Sequence, residues 1–207
     1  MEAITSLTRN VGNVQVLEIN LRNGDYWWST RLFLVAALAV EHTSVGCLAF
    51  VTEGNHFFGL ASPWATLLAL SKAFPGVAKA YYGTLREPTL NLDPSYEIVY
   101  RVQDFSMALG QLPGQEAANK VIVSQALLSR WLGAELVQDS LESNSLALES
   151  LDALRVLDRH SSHVALVREG KLVGVVDRAA FATNVARGVF EARLGKSSAN
   201  YRNGQIR

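Results

Sequence analysis

The stretch HVALVREGKLVGVVDRAAFATNVAR, residues 163–187, decides how this chain is expected to fold. Two runs rich in valine and leucine flank a polar break at Glu169–Lys171, whose central glycine turns at low cost, so the first half predicts two antiparallel strands. Asp177 then precedes a segment with alanine, phenylalanine and valine near helical spacing, which is where an N-cap stands. We therefore predict a hairpin followed directly by a helix.

A similar stretch occurs earlier in the chain, at Cys47–Phe74, with the sequence CLAFVTEGNHFFGLASPWATLLALSKAF. When Gly59 is aligned with Gly174, Ser62 falls on Asp177 and becomes the second predicted helix cap. Two copies separated by about half of the chain indicate an internal duplication.

The segments before each hairpin complete the predicted repeats. Val14–Leu21 predicts an opening strand, and a helix capped by Ser29 or Thr30 follows it. In the second half, an amphipathic helix is predicted over Gln115–Leu132 and an opening strand over Leu136–Leu141. A further helix is predicted to begin at Ser145 or Glu149 and to end at His160, directly before the second hairpin. The helix after the first hairpin begins at Pro63, and its predicted apolar residues are Trp64, Leu67, Leu68, Leu70 and Ala73.

These elements predict a division of the chain into four parts. Residues 1–85 form the first repeat, and residues 86–114 connect the repeats and include a possible strand at Tyr96–Val102. Residues 115–194 form the second repeat together with its preceding helix. Residues 195–207 form a polar tail that is expected to fray.

The order strand, helix, strand, strand, helix resembles the CBS domain, and two such repeats resemble the tandem pair called a Bateman module. The resemblance rests on LDALRVLDRHSSHVALV and GKLVGVVDRAAF in the second copy and on GLASPWATLLAL in the first. It implies an α/β (α+β) fold in which the two repeats pack as a pseudo-twofold pair. It also implies a non-catalytic module that binds adenine nucleotides between the repeats and forms homodimers.

The resemblance also singles out candidate ligand-binding residues. The family places a serine or threonine after the second hairpin strand and an aspartate three residues later, to hold phosphate and ribose. Here Ser62 is followed by Ala65, whereas Asp177 replaces the hydroxyl and is followed by Ala180, so neither copy carries the full signature. The candidates are Ser62, Trp64, His163, Asp177 and Arg178. Helix capping and solvent exposure are the simpler roles for these side chains.

Composition narrows the class of protein. The chain has 207 residues, 49% of them hydrophobic, with 19 basic and 19 acidic side chains, which supports a folded core and gives no electrostatic indication of nucleic-acid binding. Its single cysteine, Cys47, excludes an internal disulfide. The N-terminus lacks the pattern of a secretory signal, and polar residues interrupt the apolar stretch Leu32–Val51, so we predict a cytoplasmic protein with no membrane span.

Two functions remain open from the sequence. The first is a regulatory module that associates with itself or with a protein partner, using aromatic surface at Trp27, Trp28 or Trp131. The second is a sensor of adenine or cyclic nucleotides. An enzyme of unrecognised type is a third alternative, but the sequence lacks a nucleophile elbow, a phosphate-binding glycine loop and metal-ligand spacing. No cofactor is predicted beyond a possible adenine nucleotide, and no metal.

Overall fold

The computed structural model describes residues 15–21, 28–41, 45–84, 121–142 and 162–183. The chain divides into two compact units, Met1–Gln138 and Asp139–Arg207. Several sequence predictions lie outside the described residues: the connecting segment 86–114 with its strand at 96–102, the helix predicted between residues 145 and 160, Trp27, and the polar tail 195–207.

The first unit begins with a strand–helix–strand arrangement. Strand β1 (Gln15–Asn20) pairs in parallel with β2 (Val45–Val51), and helix α1 (Ser29–Glu41) connects them. Every residue of α1 from Leu32 to Ala39 is buried, as expected for a helix that is apolar on all sides.

A hairpin and two helices follow in the same unit. Strand β3 (Phe57–Ala61) pairs antiparallel with β2, which gives the strand order β1-β2-β3. The hairpin turns through Gly54 and Asn55, both at positive φ, which are residue types that tolerate this conformation. Helix α2 (Pro63–Ala73) packs against α1, and α3 (Pro75–Thr84) comes directly after it.

Helix α4 (Gln125–Leu132) also belongs to the first unit, although the sequence analysis assigned it to the second repeat. Its buried residues Leu128 and Leu132 join the core formed by α1 and the first sheet, and α4 packs on α2. It starts later than the predicted Gln115–Leu132, because Ser124 caps it through the Leu127 N–H and the preceding Val121–Val123 run is not helical.

The segment Leu136–Val137, here called the strap, lies along the edge of the first sheet. Val137 exchanges two backbone hydrogen bonds with Leu60 of β3, each 2.8 Å long. The predicted strand at Leu136–Leu141 is therefore divided. Its first part pairs with β3 as an isolated bridge, and its end belongs to strand β4 (Ser140–Glu142) of the second unit.

The second unit repeats the strand pattern of the first. Strand β4 pairs in parallel with β5 (His163–Arg168), and β5 pairs antiparallel with β6 (Lys171–Asp177). The turn again has two residues at positive φ, Glu169 and Gly170. Helix α5 begins at Arg178 and is described through residue 183. Leu141, Val164 and Leu166 form a small buried cluster.

The two units share one order of elements. Each has a first strand parallel to the second, a third strand antiparallel to the second, a hairpin turn in the left-handed region, and a helix at the end of the third strand. The predicted mixed α/β class is confirmed. The same strand order in both units agrees with the internal duplication predicted from the sequence.

Candidate functional site

Ser62 joins strand β3 to helix α2 and caps the helix. Its Oγ accepts a hydrogen bond of 3.0 Å from the Ala65 N–H, and its carbonyl accepts one of 3.0 Å from the Thr66 hydroxyl. Pro63 occupies the first helical position, where its missing N–H costs nothing. One acceptor position of the Ser62 hydroxyl oxygen is therefore already occupied by an N–H of its own helix.

Trp64 lies two residues after Ser62, on the outer surface of α2. Its side chain is 60% exposed, and Leu68, one turn along the helix, is 44% exposed. Lys72, a further turn along, is exposed as well. These three residues, here called the outer row, lie on one side of the helix because positions four apart are neighbours on its surface.

The sequence analysis expected Leu68 and Ala73 to share an apolar face with Leu67 and Leu70. Leu67 and Leu70 are buried, but Leu68 and Ala73 are exposed. The two sides of α2 are both apolar in sequence, so periodicity alone does not separate the side that packs on α1 and α4 from the side that remains outside.

In the second unit, three predicted site residues lie together. Asp177 is the register partner of His163 across the β5–β6 pair, and Arg178 follows directly. Asp177 Oδ1 accepts a hydrogen bond of 2.8 Å from the Ala180 N–H, so it caps α5 as Ser62 caps α2. The Arg178 N–H donates to the Ser162 carbonyl at 2.9 Å, which closes the start of the hairpin against the start of the helix.

His163 has a perturbed protonation equilibrium. Partial burial lowers its pKa below the ordinary value of 6.5, and the nearby Asp177 carboxylate opposes this effect without cancelling it. Ser162 Oγ lies 2.8 Å from His163 Nδ1. The imidazole is therefore mainly neutral at pH 7, and one of its nitrogens is already engaged by a serine hydroxyl.

The structure thus places the five candidate ligand residues in two groups, Ser62 with Trp64 in the first unit and His163 with Asp177 and Arg178 in the second. Both cap positions are followed three residues later by an alanine, Ala65 or Ala180, whose N–H the cap side chain accepts. An alanine there offers no carboxylate to a ribose. The ligand roles of these residues stay predictions.

Two of the three tryptophans proposed as interface residues are described. The Trp28 ring is half-buried, with the guanidinium carbon of Arg31 4.3 Å from its centroid. Trp131 of α4 is half-buried against Phe74, with their ring centroids 5.3 Å apart in an edge-to-face arrangement. Trp64, which the sequence analysis assigned to a ligand, exposes more of its side chain to solvent than either.

The described residues give no indication of a reactive thiol or of a metal site. Burial raises the pKa of Cys47 to about 12, so this thiol is protonated at physiological pH. Within the described ranges, no cluster of three or more His, Cys, Asp or Glu is placed to hold a metal ion. None of the helices described there is both long and apolar enough to cross a bilayer.

Sequence reasoning missed two features of the first unit. Leu68 was predicted on the apolar face of α2 and Trp64 in a ligand site, although Trp64, Leu68 and Lys72 follow one another at a spacing of four residues, which indicates one side of a helix. The fit of the strap against Gly59 was also missed: a Cβ at Gly59 would lie 2.7 Å from Leu136 Cδ1. A glycine within a strand is the signal that could have indicated such a close approach.

Comparison with known proteins returned solved structures only. No protein-family model and no curated protein matches the chain. The CBS domain of a CBS-domain-containing membrane protein from Sphaerobacter thermophilus is 14% identical, with a TM-score of 0.38, over 81% of this chain and 80% of that one. The CBS-pair protein CBSX2 from Arabidopsis thaliana is 16% identical, with a TM-score of 0.36, over 87% of this chain and 89% of that one.

Proposed function

We propose that this chain is a non-catalytic regulatory module of the CBS-pair type that associates with itself or with a protein partner, with ligand control as an option. The observation that carries the proposal is the exposed pair Trp64 and Leu68 on α2. A tryptophan and a leucine that share one exposed helix face are costly to leave in water. Tryptophan is also among the residue types that supply much of the binding energy of protein interfaces.

The hydrogen bonds at the helix caps support association over nucleotide binding. Ser62 Oγ and Asp177 Oδ1 both accept N–H groups of their own helices. Asp177 also carries a negative charge at the position where the family signature has a hydroxyl, and this charge repels a phosphate. Neither cap is followed by the aspartate that would hold a ribose.

One observation favours the second candidate, an adenine-nucleotide or cyclic-nucleotide sensor. Trp64 stands at the N-terminal end of α2 with its ring exposed, beside backbone N–H groups that attract anions. An adenine stacked on this ring would bring its phosphates towards the helix end. The same tryptophan thus serves both candidates, so an experiment has to separate them.

Sedimentation velocity of the purified protein over a wide concentration range tests the proposal, with and without AMP, ATP and cyclic AMP. We expect a concentration-dependent dimer, or a complex with an added partner, in the absence of nucleotide. Trp64→Ala should weaken association by about tenfold or more, whereas Ala73→Ser, an exposed substitution on the same helix, should leave it unchanged. A protein that stays monomeric, engages no partner and is stabilised only by a nucleotide would support the sensor instead.

A further inference from the structure

The outer row of α2 has a chemical order that is complementary to itself. An aromatic ring stands at one end (Trp64), an aliphatic side chain in the middle (Leu68) and an ammonium group at the other end (Lys72). All three are exposed, and with a rise of about 1.5 Å per residue the row is about 12 Å long. It spans two turns of the helix.

The charged residues of helices α2 and α3 all have one sign. The sequence from Pro63 to Thr84, which covers α2 and α3, contains Lys72 and Lys79 and no acidic residue. Lys72 therefore has no carboxylate on its own helix or the next one to pair with. The electron-rich face of a tryptophan ring is an alternative partner for an ammonium group.

A twofold axis at Leu68 gives each residue of the outer row a partner in the second copy. In an isologous dimer, if one residue contacts a second residue of the other copy, the reverse contact also forms. Two antiparallel copies of α2 with the twofold axis at Leu68 therefore place Leu68 against its own counterpart. The same rotation brings Trp64 of one copy to Lys72 of the other, and the reverse contact forms by symmetry. One aliphatic contact and two cation–π pairs result, and no charge is left opposite a like charge.

We infer that the occupant of the outer row is a second copy of this chain, docked antiparallel with Leu68 on the twofold axis and with Trp64 and Lys72 of opposite copies in contact. This inference rests on the proposed self-association and specifies its surface and its register. A second copy carries the complementary row by symmetry, whereas a partner protein of different sequence would have to carry the same three groups in reverse order independently.

Disulfide trapping with Leu68→Cys tests the register. Only a residue on the axis can form a bond with its own counterpart, so we expect Leu68→Cys to give a covalent dimer under oxidised glutathione. Ala73→Cys, also exposed on α2 but well off the row, should not. The native Cys47 is buried, with a pKa raised to about 12, and does not compete. Sedimentation velocity of the unmodified protein accompanies the trapping.

Charge variants test the paired contacts. Lys72→Glu removes two cation–π pairs per dimer and should weaken association by roughly five- to thirtyfold, whereas Lys72→Arg should preserve it. Lys79→Glu makes the same charge change at an exposed site on α3 and should have little effect. Equal losses from the two charge reversals would show only long-range electrostatics and overturn the assigned contact.

The outcomes separate this inference from the proposed function. A dimer in solution that Leu68→Cys fails to trap would overturn the inference and leave self-association standing through another surface. A protein that is monomeric at every concentration and engages no partner overturns both. A complex only with a different protein, lost in Trp64→Ala, would retain an association function and overturn the second copy as occupant.

Discussion

Replacing Gly59 by alanine should destabilise the first unit by about 2 kcal/mol, because the strap lies against this residue. The new methyl group would stand 2.7 Å from Leu136 Cδ1, 3.0 Å from Leu136 Cγ and 3.3 Å from the Val137 carbonyl oxygen. Leu136 is buried and the Val137 oxygen belongs to the backbone, so a rotamer change alone does not relieve all three contacts. Overpacking of this kind costs about 1–3 kcal/mol.

The free energy that holds the strap on the sheet sets an upper limit to the steric cost of Gly59→Ala. Its two backbone hydrogen bonds to Leu60 contribute about 0.5–1.5 kcal/mol each, and burial of Leu136 contributes about 1.5–3 kcal/mol. Because the steric cost is smaller than the sum of these contributions, the strap should shift and remain attached. Urea denaturation followed by circular dichroism measures the loss. A fall in Tm of about 4–8 °C should accompany it in a chain of this size.

A double-mutant cycle with Leu136→Ala identifies the source of the cost. Leu136→Ala alone should cost about 2–5 kcal/mol, but in its presence Gly59→Ala should cost much less, because the two Leu136 atoms are gone and only the Val137 oxygen at 3.3 Å remains close. Effects of the two substitutions that add to within about 0.5 kcal/mol would refute the reasoning. Amide hydrogen exchange at Leu60 and Val137 gives an independent measure, because faster exchange in Gly59→Ala reports a loosened strap.

Three further predictions concern the caps, the histidine and the cysteine. Ser62→Ala should lower the unfolding free energy by about 1 kcal/mol, because the Ala65 N–H loses its acceptor, while Ser62→Asp should keep most of the stability; equal loss in both variants would contradict capping. Since the folded-state pKa of His163 is lowered, its contribution to stability is fully present above about pH 6.5 and declines as the pH falls below that value. An NMR titration should show a lower His163 pKa in Asp177→Asn, which keeps a cap acceptor but loses the charge, and an unchanged or higher pKa would contradict the assigned carboxylate effect. Cys47 should resist a thiol reagent at neutral pH in the folded protein and react fully in urea; rapid labelling without urea would contradict its burial.

Local features of the fold were predictable from the sequence because short-range physics determines them. The Glu169–Gly170 turn follows from a glycine that readily adopts positive φ, and the cap at Asp177 follows from a short side chain that can reach an N–H three residues on. The first hairpin and its Ser62 cap follow the same rules. An internal duplication was therefore visible before any contact was known.

Part of the candidate site was predictable for the same reason. The cap residues and Trp64 stand where a strand passes into a helix, and this position is encoded locally. The proximity of His163 to Asp177 was not predictable in this way, because the pairing shifts by one residue between Leu166 and Val167, and the turn register alone would place His163 opposite Val176. The lowered pKa of His163 was not predictable, because it depends on how far the side chain is buried in the folded protein.

Strands, turns and helix caps could be located from the sequence because each depends on residues within a few positions of one another, and a comparison of the two halves then indicated the repetition. The membership of α4 and the strap in the first unit, and the exposure of Trp64 and Leu68 beside the buried Leu67 and Leu70, depend on the tertiary structure. Adjacent leucines on a helix are chemically alike, and their roles differ only through the surfaces that long-range packing brings to them.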